Sequence, residues 1–246
     1  MRFETHRFMI PVSAAIAAVG LMSAVPAVAA QHDSGGVSVS ASPHSDAARS
    51  AQDRVNDSVS LVQQMKQDPA LAAVLEQAKG IFIIPHYGKG ALIVGGQGGG
   101  GVVLAKHNDA WSSPAFYSIG GASIGAQAGG EAGAIAMILM TQKAVDRFAD
   151  STTGWSLNGN AGLTVVNWSG KTRATTNRGD VILWSNASGL YGGISASLTD
   201  ISPDTKMDQA YYQRAVNSEE ILAGNITSPS ADTLRNALAS RVASTR

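Results

Sequence analysis

The chain has 246 residues, 44% of them hydrophobic, with 18 basic and 18 acidic side chains in formal balance and no cysteine. Length and apolar content suffice for a substantial core in one domain with appendages, held by packing instead of disulfides. The even charge gives no general attraction to polyanions, so no nucleic-acid partner is expected.

The first segment reads as a secretory leader. Arg2 and Arg7 precede an Ala-rich apolar run from Phe8 to Val25, and Ala27-Val-Ala-Ala30 offers the small residues of a cleavage site. Residues 1–30 are therefore assigned to a signal peptide, and the product is expected to be exported, to the periplasm or in association with the cell envelope. Cleavage removes Arg2, Arg7 and Glu4 and leaves 16 basic against 17 acidic residues, a formal charge of −1. Residues 31–45 are Ser- and Gly-rich and poor in bulky apolar groups, the composition of a flexible linker.

From Asp46 to Gln67, Val55, Val59 and Val62 recur with Ala48 and Ala51 at helical spacing, which predicts an amphipathic helix. Asp68-Pro69 then supplies a cap and a first-turn proline for a second helix, with Gly80 as its terminator. Between Lys79 and Met140 short aliphatic runs (81–84, 91–94, 102–105, 115–119, 135–140) alternate with Gly, Asn, Asp or Pro, and predict a meander of strands. The glycine run from Gly95 to Gly101 fits a twisted or bulged sheet that another surface approaches closely. Residues 141–149 read as a short helix. Alternation at 157–168, then Val181-Ile-Leu-Trp184 and Leu190-Tyr-Gly-Gly-Ile194, predicts further antiparallel strands. Helices are expected at 207–215 and 219–224, and Leu234, Leu238 and Val242 predict an appended amphipathic helix after a Ser230 cap.

Strings that resemble catalytic motifs fail on context. Gly96-Gln-Gly-Gly-Gly-Gly101 satisfies a dinucleotide-binding pattern, but strand-like Val102-Val-Leu-Ala follows where a helix is required, so no nucleotide is expected. Gly121-Ala-Ser123-Ile-Gly125 matches a nucleophile elbow, yet no histidine follows Ser123, and a serine hydrolase at that residue ranks last among the readings. Without cysteine, a His pair at helical spacing or a carboxylate-rich loop, neither a metal site nor a cofactor is expected. Glu131, isolated among glycines, fits a solvent-facing strand end better than a buried acid.

In order along the chain, Ala78-Lys-Gly-Ile-Phe-Ile-Ile-Pro85, Gly95-Gly96, Trp111-Ser-Ser-Pro-Ala-Phe-Tyr-Ser-Ile-Gly-Gly121, Ser123-Ile-Gly-Ala-Gln127, Ile135 to Met140, Gly189-Leu-Tyr-Gly-Gly-Ile-Ser195, Ile201-Ser-Pro-Asp204, Ala210-Tyr-Tyr212 and Ile221-Leu-Ala-Gly224 resemble the SYLF lipid-binding domain family. The resemblance implies a β-rich α+β fold and non-enzymatic binding of membrane lipids such as phospholipids or phosphoinositides, with a SYLF-like domain over 46–224 and a C-terminal helix or tail over 225–246. Two departures matter. Ser185-Asn-Ala-Ser188 stands where the family often carries basic residues, and Ala134 where an acidic residue is common, which weakens any expectation of polyphosphoinositide selectivity.

The expectation is thus an antiparallel β-rich core, sandwich or barrel-like, with flanking N- and C-terminal helices, binding membrane lipids, anionic phospholipids among them. Candidate lipid contacts are Arg49, Arg54 and Lys66 on the first helix and Lys79, His86, Lys89 and Trp111 near strand ends. The rival is a structural or protein-interaction envelope factor using its terminal helices. Intact-mass analysis of the exported protein is expected to give a mature terminus at Ala30 or Gln31; a product retaining Met1 would refute the leader.

Overall fold

The computed structural model of the chain describes residues 43–91, 94–124, 129–150, 154–157, 162–168, 179–186, 198 and 200–240. The expected leader, nearly all of the expected linker and the expected 190–194 strand lie outside them.

Helix α1 (Pro43–Met65) buries Ala51, Val55, Ser58, Val62 and Met65, a stripe at three- and four-residue spacing. Its one buried hydroxyl, on Ser58, donates to the Arg54 carbonyl (2.8 Å). Helix α2 (Pro69–Gln77) starts as the sequence predicts, with Asp68 accepting from the Ala70 amide (2.9 Å). It stops earlier than expected, and Gly80 opens a strand.

The sheet contains β1 (Gly80–Ala91), β2 (Val94–His107), β4 (Ala115–Ile124), β5 (Gly129–Leu139), β6 (Val165–Asn167), β7 (Val181–Ser185) and β8 (Ser202–Pro203), in the order β6-β7-β5-β1-β2-β4-β8. The two-residue strand β3 (Ala110–Trp111) pairs with β2 alone. Every pairing is antiparallel except β6 with β7. Among the described residues the sheet stays open, a helix-clad layer and not a closed barrel. Where the sequence suggested a glycine separator, β2 runs unbroken through it, because backbone pairing on both flanks holds these residues extended.

Both faces of the central strands are buried, and the alternation divides them between two cores. Phe82, Ile84, Val103, Ala105, Tyr117, Met137 and Leu183 face a core closed by α3 (Gln142–Ala149) and α5 (Ser218–Leu222). There Phe148 meets Phe82, Tyr117 and Trp155 edge-on at 5.0–5.4 Å, and the Tyr117 hydroxyl donates to the Phe148 carbonyl (2.5 Å). Ile81, Ile83, Val102, Leu104, Phe116, Ala136 and Ile138 face a second core closed by α1, α2 and α6 (Asp232–Ala239). The C-terminal helix is therefore no free appendage, since Leu234 and Leu238 complete this second core. Helix α4 (Thr205–Tyr212) spans both, with Tyr211 against the second core and Tyr212 against the first.

Within the sheet, residue size is limited where neighbouring strands come closest. A Cβ on Gly101 would collide with the Ile83 carbonyl oxygen and lie 2.6 Å from the Phe82 ring, whereas one on Gly88 would meet nothing within 4 Å. Gly101→Ala is expected to cost about 3 kcal/mol and Gly88→Ala no more than about 0.5 kcal/mol. Urea unfolding midpoints check this, and equal losses would contradict the close approach at β2.

Candidate functional site

The site grows from a proline. β1 is a central strand, and Pro85, which cannot donate to a ladder, is accommodated at a bulge where the pairing register shifts between Ile83 and His86 on one side and between Ile84 and Tyr87 on the other. The bulge leaves His86 largely exposed between buried Pro85 and Tyr87. The His86 Nε2 lies 3.0 Å from Asp57 Oδ2 on α1. A groove of about 570 Å³ opens between α1 and the β1–β5 pair, with Asp57, Ser60, Gln64, His86 and Asn186 as its polar walls.

Asn186 fixes the far wall. Its Oδ1 accepts from the Ala134 amide (2.8 Å), its Nδ2 donates to Gln64 Oε1 (3.3 Å), and so the middle of β5 and the end of β7 are tied to α1. Pro85, Tyr87 and Ala134 give the groove an apolar floor.

The predicted site residues do not gather there, His86 excepted. Arg54 lies on the buried side of α1, its guanidinium in the space that a Cβ on Gly100 would need, 5.9 Å from the Phe116 ring centroid and 4.0 Å from Asp204. Burial holds its pKa below the ordinary value, against the opposing pull of Asp204. Lys66 closes the C-terminal end of α6, donating to the carbonyls of Ala237 (2.5 Å), Leu238 (2.9 Å) and Ser240 (2.5 Å). Trp111 is only 4% exposed, with Lys106 over its ring and Arg235 bonded to its carbonyl (3.0 Å). Arg49 is exposed and paired with Asp46, and Lys79 is exposed at the start of β1 beside a shallow hollow of about 350 Å³ that also involves Lys106 and Asp109. Lys89 pairs in register with Gln97 and Glu131, while its side chain and those of Glu131 and Ser123 lie outside the described residues. Ser123 sits in β4 opposite Gly95, not on a strand-to-helix turn.

Sequence reasoning missed Asp57, Ser60, Gln64 and Asn186. The first three follow i, i+3, i+7 along α1, a polar stripe beside its buried one that was open to detection. Asn186 has no such signal, because only the folded sheet brings it to α1.

Asp208 on α4 is fully buried, accepting from the Phe116 amide (2.8 Å) and the Ser218 hydroxyl (3.3 Å), and so joins β4, α4 and α5. Burial pushes its pKa up to about 7 despite those two bonds, with nearby Asp204 adding to the rise.

These features define the class: an α+β domain in which an open, largely antiparallel sheet is clad by helices on both faces. Residues 120–241 match the family model described as "Ysc84: Las17-binding protein actin regulator". The chain carries a domain of this Ysc84 family, the family that the ordered motifs resemble under the name SYLF. It is 31% identical over 175 residues to LAS seventeen-binding protein 3 of Saccharomyces cerevisiae, covering 68% of this chain and 38% of that protein. Protein YSC84 of the same organism is 30% identical over 175 residues, covering 68% and 37%. SH3 domain-containing YSC84-like protein 1 of Bos taurus is 30% identical over 162 residues, covering 64% and 47%. The matches span less than half the length of these relatives. No solved structure matches the chain.

The Asp208 carboxyl gives a pH prediction with a definite sign. The native state holds its proton up to about pH 7, whereas an unfolded carboxyl releases it near 3.8. Native protein thus binds the extra proton between these values, so this contribution to stability is full below about pH 4 and is lost as pH rises to about 7. Asp208→Asn, which can keep both hydrogen bonds, is expected to remove that slope. Urea unfolding of both proteins between about pH 4 and about pH 8 checks it, and parallel stability curves would contradict it.

Proposed function

We propose that the chain is a non-enzymatic lipid- and membrane-binding protein of the cell envelope, exported by its N-terminal leader and holding a lipid head group in the groove between α1 and the β1–β5 pair. The observation that carries this reading is the groove itself, whose size falls within the range of ligand sites and whose polar walls surround an apolar floor. The resemblance of the ordered motifs to SYLF lipid-binding domains supports it. Among the described residues no helix is long and apolar enough to cross a membrane, so membrane contact by these residues rests on the folded surface.

A second reading, binding of a protein partner in actin regulation, is favoured by the family description and by relatives named for Las17 binding. Pelleting of the mature chain with vesicles and, in a parallel arm, with actin filaments separates the two.

The intramolecular roles of Arg54 and Lys66 leave Arg49, Lys79 and Lys89 as the candidate surface cations, while among the described residues the groove is lined by neither Lys nor Arg. Vesicle binding is therefore expected to fall only in part as salt rises from about 0.05 to about 1 M, where the Debye length shrinks to about 3 Å. Lys79→Glu with Lys89→Glu should remove the salt-sensitive part alone. An isotherm unchanged by salt and by both substitutions would take these lysines out of the contact surface, and failure to bind any vesicle would refute the lipid reading.

A further inference from the structure

We infer that the α1–β1 groove selects an uncharged, hydroxyl-rich head group, a sugar or a glycerol, over a polyphosphorylated one. This rests on the lipid-binding reading and names the ligand class of the same site.

The inference follows from the hydrogen-bonding inventory of the walls. Asp57 uses one carboxylate oxygen on His86 and has a second to offer, and the Ser60 hydroxyl oxygen is a further acceptor. The Gln64 amide accepts from Asn186 through its oxygen and keeps its N–H groups, Asn186 spends one N–H on Gln64 and keeps the other, and His86 has its second ring nitrogen. The walls therefore offer both donors and acceptors. A phosphate presents acceptors only and an ammonium donors only, so each would leave half of these groups unmatched. A hydroxyl is both donor and acceptor, and a vicinal pair can bridge a carboxylate oxygen and an amide N–H.

Charge points the same way. Among the described residues neither Lys nor Arg lines the groove, and Asp57 is a formal negative charge at its wall, so a multiply charged phosphate would meet repulsion there with no described Lys or Arg beside it. At about 570 Å³ the volume admits a sugar ring with the first part of a lipid backbone. Gly88 lines the groove, and the open space where its Cβ would lie gives a way to fill the site without disturbing the fold.

The test uses the mature chain and vesicles of phosphatidylcholine alone, or doped with a glycosyl diacylglycerol or with a phosphatidylinositol bisphosphate, with free hexose as competitor in a separate arm. Glycolipid doping is expected to tighten binding about tenfold. Gly88→Leu and Asp57→Ala should each abolish that gain, with the thermal midpoint of Asp57→Ala unchanged. If Gly88→Leu fails to fold, Asp57→Ala alone decides. A gain from the bisphosphate with none from the glycolipid overturns the inference and leaves lipid binding standing. Capture of free hexose with no vesicle bound overturns the lipid reading and leaves the polyol site standing. A glycolipid gain that survives both substitutions places the contact elsewhere and also overturns the inference.

Discussion

The seating of α1 on the sheet is the contact on which the rest depends. A sheet buried on both faces needs a helix layer on each, and α1 is the longest element of its layer, crossing β1 and β2 while meeting α4 and α6 at its sides. Close approach is possible because Gly100 leaves room for the Arg54 guanidinium to lie on the strand, where Phe116 and Asp204 receive it. Taking a cation out of water is costly, and an aromatic face and a carboxylate at 4.0 Å offset that cost only in part, so burial still holds the Arg54 pKa below its ordinary value. Lys66 performs a corresponding task at the other end of α1 by closing α6. The basic residues that look most like a membrane-facing set thus include two that hold the helix layer together.

With α1 fixed, the groove is a geometric consequence. The Pro85 bulge turns His86 outward under the polar stripe of α1, and Asn186 ties the neighbouring strands to the same helix. Residues that pack and residues that could bind alternate along one helix surface, so the site inherits its rigidity from the core beneath it. On the far edge of the sheet, α4 joins the two cores through Tyr211 and Tyr212, and the buried Asp208 locks it to β4 and α5. That edge is where protonation is expected to affect stability.

Local signals carried much of the fold. The Asp68-Pro69 start of α2, the short helix expected at 141–149 and the apolar Val181–Trp184 run expected as a strand were each legible within a few residues, and the structure has all three. The glycine run was harder to read, because its extended conformation is imposed by pairing with β1 and β4 and not by its own propensity. The C-terminal helix looked detachable because its partner surface, Trp111 and the end of α1, is more than a hundred residues away in sequence. The site was legible only at His86. Lone basic residues read alike whether they face water or clasp a helix end, and the Asn186–Gln64 pairing exists only in the folded sheet.

Hydrogen–deuterium exchange of the protein with and without vesicles tests the central claim most directly, because it maps contact along the backbone without substitutions. The account requires slowed exchange at residues 57–64 of α1, at 83–88 around the bulge and at 133–134 and 186, with the α3–α5 face unchanged. Protection confined to the α3–α5 face, or none at any lipid composition, would contradict it.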